Sequence, residues 1–226
     1  EGPDKSVGIC TPQTFSGATD RILRNLGDGR FQEVSSRWKL ERPGGSGLGI
    51  VAVRLGDSTP AGRLDLFIAN DTRANFLYRP GMSAEGVPTG SWRETGLEQG
   101  VALNDSGRAE ACMGVATGDA DGDGRLDLFV TNFLNQSNTL YRKLPQHEFF
   151  ADLTQRSGLH ENSINLLGWG TQFVDADLDG QLDLVITNGH VGDFPDHQTL
   201  YQMPNQYLHN LGNGTFVELK SDRLGG

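Results

Sequence analysis

The chain has 226 residues, of which 36% are hydrophobic, and it carries 31 glycines and a formal net charge of −10. This size and composition allow one or two packed domains and exclude a wholly disordered chain. The negative charge argues against nucleic acid as a partner, and the lack of any run of about 18 apolar residues excludes a membrane-spanning helix.

The chain begins with a segment, residues 1–19, that contains no acidic loop and is predicted to be a connecting loop. It holds Cys10, and the only other cysteine is Cys112. Two cysteines are too few for a disulfide framework or a cysteine-based zinc site, while a bond between them and two free thiols both remain open. Residues 20–34 then predict a hairpin, because Gly27-Asp28-Gly29 separates two apolar runs.

Three longer repeat units follow, at approximately residues 48–95, 112–153 and 169–219. Each predicts an apolar strand, an acidic loop, a β-branched strand and a hairpin of two more strands. The strand after the loop begins at Leu64, Leu126 and Leu182, at separations of 62 and 56 residues. This recurrence predicts an all-β protein with the four-stranded antiparallel blades of a β-propeller, about 3.5 repeats in one domain. A plain antiparallel sandwich is the alternative, but it does not explain the regular period.

Two nine-residue segments hold eight of the 29 acidic residues and most of the net charge. Both have aspartate at the first, third, fifth and ninth positions, and glycine after the third aspartate permits a sharp turn. Carboxylates this close repel one another, and a set of hard oxygen ligands suits Ca²⁺, whereas two solvated Asp-Gly turns are the alternative. The predicted ligands of two Ca²⁺ ions are Asp119, Asp121, Asp123, the Arg125 carbonyl and Asp127, and Asp175, Asp177, Asp179, the Gln181 carbonyl and Asp183.

The acidic loops are not EF-hands. An EF-hand needs glutamate at the twelfth position and flanking helices, but Val130 and Ile186 stand there and a strand pattern follows. A corresponding loop in the first unit has decayed, because counting back from Asp65 gives Asp57, Thr59 and Ala61. We therefore predict no tight calcium site in the first unit.

The segment from Gly118 to Asn132, GDADGDGRLDLFVTN, resembles the FG-GAP or VCBS repeat of integrin α-subunit propellers. Over residues 8–220 the chain is similar to the cartilage acidic protein 1 family, whose bacterial members often carry an ASPIC/UnbV domain. The motifs typical of that family are Leu23 to Phe31, Asn138 to Arg142 and Thr187 to Val191. The resemblance implies an extracellular or periplasmic, calcium-bearing β-propeller used for adhesion or protein contact.

We expect a non-enzymatic, calcium-stabilised scaffold that binds a protein or a glycan. The alternative is a carbohydrate-active enzyme such as a polysaccharide lyase, an activity that some calcium-bearing propellers of similar kind have. Lyase chemistry needs a base near neutrality and positive charge to stabilise an enolate. The sequence has five histidines and no basic cluster, so the scaffold is favoured and no catalytic residue is predicted.

The chain is expected to be an incomplete propeller, because residues 20–34 supply only the last two strands of a unit. A seven-bladed ring at about 60 residues per blade needs roughly 420 residues. Open sheet faces are expected to be covered by further chain, by another subunit or by a second copy, and a four-bladed ring closed by residues 5–16 is the alternative. One further cluster, His190, Asp193, Asp196 and His197, has the residue types of a transition-metal site, with a solvated loop as the alternative.

Overall fold

The structure, a computed structural model, describes residues 12–56, 63–84, 86–147, 149–193 and 200–220. Fourteen strands form one two-stranded and three four-stranded antiparallel sheets. The strands are β1 (Leu23–Asn25), β2 (Phe31–Glu33), β3 (Gly47–Val53), β4 (Asp65–Asn70), β5 (Phe76–Met82), β6 (Pro88–Glu94), β7 (Cys112–Gly118), β8 (Asp127–Asn132), β9 (Thr139–Lys143), β10 (Phe150–Asp152), β11 (Gly168–Val174), β12 (Asp183–Asn188), β13 (Gln206–Asn210) and β14 (Phe216–Glu218).

Helices contribute little to the described chain. They are a 3-10 turn at Pro12–Thr14, α1 at Ser35–Trp38 and α2 at Leu159–Ser163. None of these described helices has the length and apolar character needed to cross a bilayer. The prediction of an all-β fold with four-stranded antiparallel sheets is confirmed, and strand order follows chain order in every sheet.

The sheets stack face to face in a row. β7, the first strand of the second sheet, packs against β3 of the first sheet and against β11 of the third. Phe129 and Leu140 of the second sheet, both 0% exposed, share an apolar core with Leu184 and Leu208 of the third. Because successive side chains of a strand point to opposite faces, each sheet can pack on the preceding sheet with one face and on the following sheet with the other. We call the face that packs on the following sheet the forward face.

Strand register aligns the repeats residue by residue. Tyr141 on β9 opposes Leu128, and Leu208 on β13 opposes Leu184, so Tyr141 and Leu208 are equivalent. By sequence alone, Tyr207 to Asn210 aligns with Thr139 to Arg142, which would make Leu208 the equivalent of Leu140. This alignment is wrong by one residue for the hairpin of the third unit. The shift matters because neighbouring residues of a strand point to opposite faces. It makes His209 the equivalent of Arg142.

The last sheet leaves its forward face open. Val185 stands at the register position of Phe129, yet it is 36% exposed, whereas Phe129 is 0% exposed. Trp169 and Val217 on the same sheet are also exposed. At the other end of the row, β1 and β2 carry the exposed side chains of Leu23 and Phe31. The described sheets therefore form an open row and not a closed ring.

Several sequence predictions concern residues outside the described chain. They are the second cysteine Cys10, the decayed loop positions Asp57, Thr59 and Ala61, and the histidine-loop members Asp196 and His197. Cys112 lies within the described chain as a buried cysteine with a free thiol, and burial raises the pKa of that thiol to about 12.

Candidate metal centre

The first acidic loop joins β7 to β8 and folds around its first aspartate. The carboxylate of Asp119 accepts the backbone N–H groups of Asp123 at 3.0 Å and Gly124 at 2.7 Å. Gly122 and Gly124 have φ of 73° and 83°, a region that favours glycine, so both glycines are required by the turn. One oxygen from each of Asp119, Asp121 and Asp127 lies within 4.8 Å of the other two.

The ninth residue of the loop, Asp127, is the buried end of this group and is 1% exposed. Its carboxylate accepts the N–H of Ala120 at 3.1 Å and that of Lys143 at 2.8 Å. Desolvation by burial is the main effect that raises the pKa of Asp127 to about 7, and the nearby carboxylates of Asp123 and Asp119 add to it. A divalent cation at the loop would offset this cost, because it favours the ionised carboxylate.

Two arginines lie against this loop. Arg142 on β9 pairs with Oδ2 of Asp121, and the side chain of Arg125 folds back to pair with Asp123. The other oxygen of Asp121, Oδ1, is buried and has no hydrogen-bond partner. A buried carboxylate oxygen without a donor fits a cation ligand. Three clustered carboxylates with one such oxygen fit calcium.

The second acidic loop joins β11 to β12 and repeats the same backbone pattern. Asp175 accepts the N–H groups of Asp179 and Gly180, both at 3.1 Å. The N–H of Gln181 donates to Asp179 at 2.8 Å. One oxygen from each of Asp175, Asp177 and Asp179 lies within 4.8 Å of the others. The matching turns in both loops account for the matching spacing of aspartate and glycine.

The ninth residue of the second loop, Asp183, is fully buried and better supplied with donors than Asp127. Tyr207 donates its hydroxyl to Oδ2 at 2.5 Å, and the N–H of Asn210 donates to Oδ1 at 2.8 Å. Desolvation by burial is the largest single influence and acts to raise the pKa of Asp183. The hydrogen bonds from Tyr207, Asn210 and Ala176, together with the charge of His209, outweigh it, so the pKa of Asp183 lies below its usual value.

In neither loop do all four predicted aspartate ligands group together. Asp123 is outside the closest group of the first loop, and Asp183 groups with Asp177 and His209 rather than with Asp175. No contact fixes the Arg125 and Gln181 carbonyls as ligands, so their role stays a prediction. Sequence analysis did not single out His209 or Arg142 as neighbours of the acidic loops. The signal that finds them is the register of the third strand.

The first unit differs from the other two at this place. In the first unit Val53 pairs with Asp65, twelve positions later, whereas in the second unit Gly118 pairs with Asp127, nine positions later. The connection between the first two strands is therefore three residues longer in the first unit. Counting forward from the strand places Arg54 where Asp119 stands in the second unit. Asp65 is still buried and accepts the N–H of Leu55 at 2.9 Å. An arginine in place of the first aspartate supports the prediction of no tight calcium site here.

The two acidic loops are connected by the third sheet. The side-chain amide of Asn210, itself 1% exposed, donates to the carbonyl of Ala120 at 2.8 Å and to that of Leu182 at 3.0 Å. The β13–β14 turn also approaches the first loop, because a Cβ placed on Gly214 would lie 3.1 Å from Cβ of Asp121. The first loop therefore rests on the sheet that carries the second.

A polar cavity of about 450 Å³ lies elsewhere, lined by the β6–β7 and β8–β9 connections and by α2. Its lining includes Arg108, Asp152 and His160 but no lysine or tyrosine. The ring of His190 lies beside that of Phe133 at a tilt of 60°, with ring centroids 5.9 Å apart. The histidine-loop cluster is thus only partly described.

Comparison with known families identifies one repeat. Residues 61–130 match the family model of an FG-GAP-like repeat, a span that runs from β4 to β8 and includes the first acidic loop. This confirms the FG-GAP resemblance for that part of the chain. No curated protein matches the chain significantly. The narrower likeness to the cartilage acidic protein 1 family stays a prediction.

Proposed function

We propose that this protein is a calcium-stabilised β-propeller scaffold that binds a protein partner outside the cytoplasm. The observation that carries the proposal is the pair of equivalent loops, each of which gathers three aspartate oxygens within 4.8 Å. Mutual repulsion makes such a group costly without a cation, and in the first loop the burial of Asp127 adds a desolvation cost. Calcium provides two positive charges and accepts the irregular oxygen geometry of a loop.

The role of calcium in this proposal is structural. The ion would be held by Asp119, Asp121 and Asp127 in the first loop and by Asp175, Asp177 and Asp179 in the second. When bound, it supplies charge neutralisation between two adjacent strands of one sheet. Millimolar calcium outside the cytoplasm would suffice, since extracellular calcium modules bind with Kd of about 0.1–1 mM. The FG-GAP-like match supports this assignment, as does the extracellular or periplasmic setting that the resemblance implies.

The surface proposed for the partner is the forward face of the last sheet. Val185, Trp169 and Val217 are exposed there, although the equivalent face of the second sheet packs on a following sheet. Because that interface already exists between the second and third sheets, the occupant that fits is a further four-stranded sheet of the same repeat. Such a sheet would continue the row of blades in the incomplete propeller that the sequence predicts.

The proposal is tested by calcium titration of chelator-treated protein, followed by calorimetry and thermal melting. Two equivalents of Ca²⁺ are expected, with a higher melting temperature in calcium. Asp121→Asn is expected to remove one equivalent, since it weakens only the first loop, and Asp105→Asn, outside both loops, is the matched control. A melting temperature unchanged by calcium contradicts the proposal. Recovery of partners with and without chelator then tests the scaffold role.

A further inference from the structure

The imidazole of His209 lies against the second acidic loop at the position where the guanidinium of Arg142 lies against the first. Its Nδ1 is 3.2 Å from Oδ1 of Asp183 and 3.4 Å from Oδ2 of Asp177. One possible ligand atom from each of Asp177, Asp183 and His209 lies within 4.8 Å of the other two. The first loop has no counterpart to this group, because its third-strand residue is arginine.

The exchange of arginine for histidine changes what the loop offers to a cation. Arginine stays protonated and has no lone pair to donate, so it can only compete with a bound ion. A neutral imidazole is the commonest metal ligand in proteins. Oxygen ligands alone suit calcium, whereas imidazole together with carboxylates suits zinc, cobalt, nickel or manganese. The two loops therefore differ in ligand softness despite their matching aspartates.

We propose that the second loop is a site for a divalent transition-metal ion, held by Asp177, Asp183 and His209. This inference rests on the proposed binding of metal by the acidic loops and refines it for one of them. Asp183 is positioned in advance, because Tyr207 and the N–H of Asn210 both donate to its carboxylate. Such outer hydrogen bonds orient a ligand and strengthen a metal site.

The site is also open to solvent on one side. The side chains of Asp177 and His209 are 45% and 24% exposed, while that of Asp183 is fully buried. An ion can thus enter past the exposed aspartate and reach a ligand fixed at the base of the loop. Water would complete the coordination shell, because three protein ligands leave positions free.

Cobalt(II) titration of chelator-treated protein tests the inference, with visible absorption and calorimetry as readouts. One equivalent of Co²⁺ is expected to bind wild type at least about tenfold more tightly than any other. His209→Arg, which gives the second loop the side chain of the first, should abolish this advantage. His209→Gln removes the ring nitrogen without adding charge and should do the same. His160→Arg, on α2, is the matched control and should retain tight binding.

Calcium titration of the same proteins reports on folding and on the proposed function. If wild type binds no Ca²⁺, the proposed function fails. If Ca²⁺ binding is intact but the Co²⁺ affinity is the same in wild type, His209→Arg and His209→Gln, only the transition-metal site is overturned. A loss of equal size in His160→Arg overturns it as well, because the effect is then not specific to the loop.

Discussion

The backbone N–H of Lys143 donates to Oδ1 of Asp127 at 2.8 Å and so holds the buried end of the first acidic loop on the third strand of its sheet. Asn210 makes the equivalent bond to Asp183 in the next sheet. In the first unit the register position is taken by Pro80, which has no N–H to donate. There Arg79 lies 3.9 Å from Asp65 and supplies the positive charge. The first unit therefore lacks both the hydrogen bond from the third strand and the aspartates of the acidic loop.

Calcium is expected to stabilise the folded protein by mass action. At a hundred- to thousand-fold excess over Kd, an ion that binds only the folded state adds about 3–4 kcal/mol to the free energy of unfolding. Urea unfolding with and without chelator measures this difference. Magnesium at the same concentration is the control, since it requires tighter octahedral geometry than these loops present. Equal stabilisation by both ions would argue against a calcium-selective site.

Asn210→Ala is expected to weaken both loops together. The variant loses two buried hydrogen bonds, to Ala120 and Leu182, and leaves both carbonyls without that donor. Unfolding should cost about 1–3 kcal/mol less, and the Ca²⁺ affinity of both loops should fall. Asn25→Ala, at an exposed asparagine on β1, is the matched control. Calorimetry that shows one loop affected and the other unchanged would contradict the connection.

Phe129 and Val185 occupy equivalent positions, so the same substitution at each measures whether the last sheet is covered. Phe129→Ala should lower the free energy of unfolding by about 3–5 kcal/mol, because its side chain is 0% exposed in the core between two sheets. Val185→Ala should cost less than about 1 kcal/mol on an open face. A larger cost at Val185 that depends on protein concentration would show that a second molecule covers this face.

Because of Glu110, the free energy of unfolding is expected to fall as pH rises above the ordinary pKa of a glutamate. Burial raises the pKa of Glu110 despite hydrogen bonds from Thr139, Asn104 and Asn132. Its folded pKa therefore exceeds its unfolded pKa, so its stabilising contribution is full below the unfolded value and is lost as pH rises through the folded value. Urea unfolding from about pH 4 to about pH 8 measures the free energy of unfolding at each pH. Glu110→Gln should remove the fall of this free energy with rising pH.

The matched control for that experiment is Glu161→Gln, since Glu161 is an exposed carboxylate on α2. Its stability profile should follow that of wild type. Calcium is kept at a saturating concentration so that the aspartates of the loops remain ionised in every sample. A wild-type profile that coincides with that of Glu110→Gln over the whole range would show that Glu110 does not titrate differently on folding.

The strands and sheets could be predicted because their signals are local. Residues 126–132 and 182–188 are short apolar runs, rich in β-branched and aromatic residues, that end in a turn-former. Asp-Gly turns mark where one strand ends and the next begins. The acidic loops were equally visible, since their turns need aspartate and glycine at fixed places. Such features repeat wherever the backbone repeats.

The register of the third strand could not be predicted in the same way. Tyr207 to Asn210 resembles Thr139 to Arg142 in its letters, so Leu208 was matched to Leu140. Pairing across the sheet decides otherwise, because Leu208 opposes Leu184. Arg54 was missed for a related reason, since the first connection is three residues longer and a fixed spacing counted back from Asp65 passes it. Both facts depend on partners distant in sequence.

The way the sheets meet has a consequence for how the molecule would respond to pulling. Ladder hydrogen bonds run within each sheet, whereas adjacent sheets are joined by side-chain packing and a few bonds such as that from Thr131 to Trp169. Under tension applied at the two ends of the chain, the last sheet has a neighbour on one side and is held least. Extension should then proceed as separate rupture events, one sheet at a time. The rupture forces of the individual sheets should differ more from one another when calcium is present.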